Sequence, residues 1–196
     1  VSGLLITMGD SWTYGQGSSN GLSWGDYVSS ALSYDFINLG IRGNSNSGAA
    51  KTLITKKHEN LKEKYDDVIV IFLLTDPIRF SFYSNTHIRN FSISHNEDFF
   101  KWYVSEVVSV LQLDPMQETA FYLKCVENFC KLHTYKFYYA MAFNDVEDLN
   151  VVYRTDGLVM SKGSFRSILT QDDYAEDYHP NDNGYKKIAE YFLQRI

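Results

Sequence analysis

The stretch LLITMGDSWTYGQG, Leu4 to Gly17, starts as an apolar run and breaks at Gly9-Asp10-Ser11. Leu4, Leu5 and Ile6 are continuous rather than alternating, the pattern of a strand covered on both faces in a parallel sheet. In such sheets the ligand crevice lies beyond the carboxyl ends of the strands, so Ser11 falls where a reactive hydroxyl is useful. Gly, Asp and Ser also serve turns for backbone reasons alone. A nucleophile at Ser11 therefore requires a base and an oxyanion site from elsewhere in the chain.

The same buried-strand pattern recurs in DDVIVIFLLTD, Asp66 to Asp76, a β-branched run closed by Asp76-Pro77. YDFINLG predicts a shorter strand ending at Asn38, and YKFYYAMAF, Tyr135 to Phe143, a further one, with Asn150 to Tyr153 as a short fifth. Helices are predicted between them. Ser23 to Leu32 has Ser23 as its N-cap, and Ser47 to Lys64 carries a solvated face of Lys51, Lys56, Lys57, Lys62 and Lys64. Glu97 to Leu113 and Met116 to Leu132 are separated by Asp114-Pro115, and NGYKKIAEYFLQRI closes the chain with Ile188, Tyr191, Phe192 and Ile196 on one side. Residues 77–96 read as irregular and rich in Arg, Ser, Asn and aromatics, either a wall over the crevice or a surface loop packed on the body.

Strands alternating with helices imply parallel βαβ units with right-handed crossovers. The expected fold is α/β, a three-layer α/β/α sandwich with a mainly parallel sheet of about five strands, flavodoxin-like in build. At 196 residues and 44% hydrophobic content, one domain spanning residues 1–196 is expected. Lys and Arg number 18 against 24 Asp and Glu, a net charge of −6 with no basic stripe, which argues against a nucleic-acid partner. No apolar run reaches membrane-spanning length and the first residues lack the pattern of a signal peptide, so a soluble, by default cytoplasmic protein is expected. A removed signal, secretion or a viral origin stays open. Cys125 and Cys130, five apart on a helix, point away from each other and read as buried free thiols. With only His133 nearby, they form no zinc site, and no metal or organic cofactor is expected.

The base that Ser11 needs comes just before the last helix, in YAEDYHPNDNGY, Tyr174 to Tyr185. His179 precedes Pro180 in a loop held by Asn181, Asn183 and Gly184. Glu176, three residues earlier, can accept a hydrogen bond from one ring nitrogen while the other faces Ser11, the orienting role of the acid in a Ser-His-acid triad. Asp177 sits beside it as a competitor. His58, His87, His95 and His133 have no comparable partners. GSSNG, Gly17 to Gly21, matches a Gly-x-Ser-x-Gly elbow, but that elbow requires a strand before the serine and none precedes Ser19, which reads as a loop residue.

Taken in order, these blocks resemble those of the SGNH hydrolases, also called the GDSL family. GDS after the first strand is similar to the family's nucleophile block, NLGIRGNS (Asn38 to Ser45) to its Asn-x-x-x-x-Gly block, and EDYHPN (Glu176 to Asn181) to its Asp-x-x-His-Pro-Asn block. The resemblance implies Ser11 as nucleophile, His179 as base, Gly43 as an oxyanion-hole glycine and Asn38 as a turn-holding amide. Two positions depart from the pattern. LLTD, Leu73 to Asp76, places Thr75 where the family has an oxyanion-donating Asn, and Glu176 stands where it has Asp. The implied chemistry is acyl transfer to water, with the amides of Ser11 and Gly43, helped by Thr75, holding the oxyanion. The implied substrate is a small-molecule or carbohydrate acyl ester, cleaved by an esterase, acetylesterase or lipase-like enzyme. The alternative is a catalytically weakened SGNH-like scaffold that binds carbohydrate or acts as a virion or interaction protein, with Thr75 as its support. Acyl chain, alcohol part and oligomeric state stay open.

Overall fold

The computed structural model describes residues 2–56, 61–77, 79–83, 88–91, 114–143, 157–160 and 163–196. Its centre is a four-stranded, wholly parallel sheet in the order β2-β1-β3-β6, with β1 at Gly3–Gly9, β2 at Asp35–Gly40, β3 at Asp67–Leu74 and β6 at Lys136–Met141. β1 is buried at every position and β3 at all but its first, which is why both read as unbroken apolar runs. β2, at the sheet edge, is only partly covered.

The connections switch direction at β1. The chain passes from β1 through α2 (Trp24–Leu32) to β2 on one side, then through α3 (Asn46–Thr55) and α4 (Leu61–Lys64) back to β3 on the other. The right-handed crossover rule for parallel strands puts α2 and α3 on opposite faces of the sheet. α2 packs against the closing helix α7 (Asp182–Leu193), where the Trp24 and Phe192 rings stack at 4.8 Å, and α3 packs against α5 (Pro115–Leu132). The result is the α/β/α layering expected. The loops after β1 and β3 leave in different directions, and the crevice that opens there is a topological switch point of the kind that holds ligands.

Local chemistry sets the helix ends. Ser23 and Asp26 form a capping box at the start of α2, and the Asp114 carboxylate caps α5 ahead of Pro115. Cys130 is buried and its thiol is pushed up to about 12 by burial and the Glu127 carboxylate, whereas Cys125 is half-buried; both are free.

Three expectations differ from the structure. The sheet has four strands among the described residues rather than about five; Leu158 makes only an isolated parallel bridge to Tyr139. The expected single helix from Ser47 to Lys64 is two, because α3 ends at Thr55 and Lys56 turns to extended backbone at φ −65°, ψ 135°. Within 77–96 lies a small antiparallel pair, β4 (Phe80–Tyr83) and β5 (Ile88–Phe91), separate from the main sheet. The expected helix at Glu97 to Leu113 and strand at Asn150 to Tyr153 lie outside the described residues. Among the described residues no helix is long and apolar enough to cross a membrane.

Candidate active site

Ser11 is the first residue of a single helical turn, α1 (Ser11–Tyr14), that begins immediately beyond β1. The preceding residue, Asp10, caps that turn: its Oδ1 accepts the Trp12 amide at 3.0 Å. The Asp10 side chain is wholly buried, so its other oxygen needs compensation. Oδ2 accepts the Thr75 hydroxyl at 2.8 Å and the Arg79 guanidinium at 2.6 Å. The nucleophile turn is thereby fastened to the end of β3. Asn38 fastens it to β2, donating to the Thr13 carbonyl at 2.8 Å while its own Oδ1 accepts the Gly40 amide.

His179 reaches the same point from the far end of the sequence. Its Nε2 lies 3.0 Å from Ser11 Oγ across 168 residues of sequence. Residues 174–180 form a tight hairpin: Tyr174 bridges Pro180, the Ala175 amide donates to the His179 carbonyl, and the Tyr178 amide donates to the Ala175 carbonyl. This is a three-residue loop whose last member, Tyr178, takes the left-handed conformation at φ 60°. Gly17, at φ 92°, packs directly under the histidine, where a Cβ would fall 2.8 Å from His179 Cβ. A glycine is needed there both for the turn and for the close approach.

The hairpin decides which acid meets the ring. Asp177 Oδ2 lies 3.2 Å from His179 Nδ1, and Asp177 Oδ1 accepts the His179 backbone amide at 3.2 Å. Glu176, expected in this role from its position three residues before His179, is exposed and has no hydrogen bond or ion pair to the ring among the described residues. The reason is the tight turn: folding the chain back at Tyr178 brings the side chain two residues before His179 across the loop, and turns the one before it outward. Nδ1 faces only acceptors on Asp177, a carboxylate oxygen and the carbonyl oxygen at 3.1 Å, so it carries the ring proton. Nε2 is then left with its lone pair toward the Ser11 hydroxyl.

Gln16 completes this arrangement. Its Nε2 donates to Asp177 Oδ2 at 3.2 Å, and its carbonyl accepts the buried Tyr185 hydroxyl at 2.6 Å, tying the acid to α7. Partial burial pulls the Asp177 carboxyl upward, but the Gln16 amide, the His179 backbone N–H and the His179 ring outweigh it and hold Asp177 below its ordinary value. Neither Gln16 nor Arg79 was singled out in the sequence. Gln16 offers no local signal, since its partner is 161 residues away. Arg79 could have been found by asking what cation balances an acid buried at the end of a central strand.

The amides of Ser11 and Gly43 have no hydrogen-bond partner among the described residues. Ser11 is at the first helical position, where no intrahelical acceptor exists, and Gly43 turns at φ 69° beyond β2. Thr75, expected as a third donor, is not one: its single hydroxyl hydrogen goes to Asp10, and its backbone amide goes to Asn46 Oδ1 at 2.8 Å. A cleft of about 370 Å³ is lined by Trp12, Phe143, Arg166, Tyr174 and Tyr178, of which Trp12 and Tyr178 are the chain neighbours of Ser11 and His179. A larger cleft, about 580 Å³, opens at the amino ends of the strands, among residues of α3, α4 and the end of α5. It contains no nucleophile and base in contact.

A family model for GDSL-like lipases and acylhydrolases matches residues 5–192. The chain belongs to that family. It is thus grouped with ester hydrolases, and several solved structures share its fold at low identity. A G-D-S-L family protein from Desulfitobacterium hafniense DCB-2 is 15% identical with a TM-score of 0.54, over 98% of this chain and 99% of that one. The psychrotrophic esterase EstA from Pseudoalteromonas sp. is 15% identical with a TM-score of 0.54, over 98% and 95%. The lipase Lip_vut3 from a goat rumen metagenome is 12% identical with a TM-score of 0.56, over 100% and 97%. The chain matches no curated protein.

Proposed function

We propose that this GDSL-family hydrolase cleaves acyl esters through a triad of Ser11, His179 and Asp177. The observation that carries the reading is the 3.0 Å contact between Ser11 Oγ and His179 Nε2, with Nδ1 of the same ring on the Asp177 carboxylate. Ser11 Oγ attacks the ester carbonyl carbon as His179 Nε2 takes the hydroxyl proton. The oxyanion is received by the free amides of Ser11 and Gly43. Collapse breaks the ester C–O bond, His179 returns the proton to the departing alcohol, and water then releases the acid from Ser11 by the same steps in reverse order. Asp177 stays a carboxylate and orients the ring.

One observation favours the other reading, a weakened scaffold. With the Thr75 hydroxyl engaged by Asp10, the oxyanion would have two backbone donors and no side-chain donor from β3. Hydrolysis of p-nitrophenyl acetate separates the two readings. Turnover that falls to background in Ser11→Ala and in His179→Ala, with unchanged Tm, is expected. A folded wild-type protein without turnover would favour the scaffold, and turnover retained in Ser11→Ala would place the chemistry elsewhere.

A further inference from the structure

The cleft beside Ser11 has four aromatic walls and one charge. Trp12 packs edge-on against Phe143 at 4.7 Å between centroids and against Tyr174 at 6.1 Å, and Tyr178 closes the rim beside His179. No carboxylate lines it among the described residues. The charge is Arg166, on the short helix α6 (Phe165–Ile168) beyond β6. Its backbone is anchored: the Arg166 amide donates to the Ala142 carbonyl at 2.9 Å, and the neighbouring Ser164 hydroxyl donates to the Phe143 carbonyl at 3.1 Å. Its guanidinium is exposed and makes no ion pair or hydrogen bond among the described residues. The contrast is Arg79, whose guanidinium lies 5.2 Å from the centre of the Phe143 ring and is taken up by Asp10. Burial raises the Tyr174 phenol, and the Arg166 charge opposes that shift.

Resting on the ester-hydrolase reading, we infer that this cleft binds the non-reacting part of the substrate, a ring carrying a carboxylate that pairs with Arg166 while the ring packs on Trp12, Tyr174 and Tyr178. A guanidinium without a partner presents a fork of donors matched to a carboxylate. A volume of about 370 Å³ accommodates one ring with its substituents. The preferred substrate class is therefore an acyl ester of a small anionic alcohol or phenol.

The test uses binding and turnover separately. In Ser11→Ala, calorimetry compares 4-acetamidobenzoate with the neutral 4-acetamidotoluene, both amide analogues of the ester. The carboxylate is expected to bind at least about tenfold more tightly, with the advantage lost in Arg166→Gln and partly kept in Arg166→Lys. In the unsubstituted protein, kcat/KM for 4-acetoxybenzoate over that for 4-methylphenyl acetate is expected to exceed one, and to fall about tenfold in Arg166→Gln. Equal binding of the two analogues, no binding of either, or a ratio untouched by Arg166→Gln overturns the inference. Carboxylate-selective binding without hydrolysis of either ester would leave the anion site standing and remove the hydrolase reading instead.

Discussion

Replacing Asp177 by Asn separates the acid that touches the ring from the one that does not. Asp177 offers two oxygens to three donors: Oδ1 to the His179 amide, and Oδ2 to the Gln16 side chain and His179 Nδ1–H. Whichever oxygen becomes an amide nitrogen meets a donor, so the substitution removes charge and also misaligns the ring. Two unit charges at the 3.2 Å separation seen here attract by about 1.3 kcal/mol in bulk water and about 5 kcal/mol at an effective dielectric of about 20. The Asp177 side chain is 48% exposed, which places the pair between those limits, at about 2–3 kcal/mol for an imidazolium formed in the transition state. Asp177→Asn should therefore lower kcat about 30- to 150-fold, less than the loss seen where the triad acid is fully buried. Glu176→Gln should stay within about a factor of two. Steady-state hydrolysis of p-nitrophenyl acetate by both variants, at constant ionic strength and with Tm recorded, gives the comparison. A larger loss in Glu176→Gln, or equal losses, would refute the geometric assignment.

Three further outcomes follow from the same contacts. Arg79→Met leaves the buried Asp10 carboxylate without its cation and should lower stability by about 3–5 kcal/mol; the double variant Arg79→Met/Asp10→Asn, measured by urea denaturation, should recover much of that loss, and simple additivity would contradict the pairing. Gly17→Ala puts a methyl 2.8 Å from His179 Cβ at φ 92°, so kcat should fall at least about tenfold, because the added atom displaces the base, while KM changes little; a wild-type kcat would show that the loop yields freely. Although burial pulls Asp173 upward, the Lys187 ammonium and the Thr170 amide and hydroxyl hold it below its ordinary value, so its stabilisation is present above the unfolded carboxylate pKa and lost as pH falls through the lower folded one. The acid denaturation midpoint should accordingly move to higher pH in Lys187→Met, and a midpoint unchanged or moved to lower pH would argue that the pair does not stabilise the fold.

Much of the layering was legible because it depends on local pattern. β1 and β3 are buried on both faces, so their apolar runs are unbroken, and α2 and α5 carry their caps in sequence at Ser23 and Asp114. β4 and β5 were not legible: four-residue strands that, among the described residues, pair only with each other carry too few positions to show a period. The division at Thr55 was hidden by lysines that continue a helical pattern beyond it. In the site, Ser11 and His179 stand in short motifs and were readable. The choice between Glu176 and Asp177 was not, since it turns on the left-handed backbone of Tyr178, a residue type that gives no hint of that conformation. The family resemblance implies Thr75 as an oxyanion donor because a motif gives a side chain's place and not its partner. The buried Asp10 carboxylate, 65 residues earlier, claims its hydroxyl.

The central claim is that His179 makes Ser11 the one activated hydroxyl of the chain. A fluorophosphonate probe, followed by intact-mass and peptide mass spectrometry, reads this directly. A single adduct on Ser11 is expected, absent from Ser11→Ala and at least about a hundredfold slower in His179→Ala, with the fold of each variant intact by Tm. A folded protein that takes up no probe, labels at another serine, or labels Ser11 as fast after His179→Ala would contradict the account.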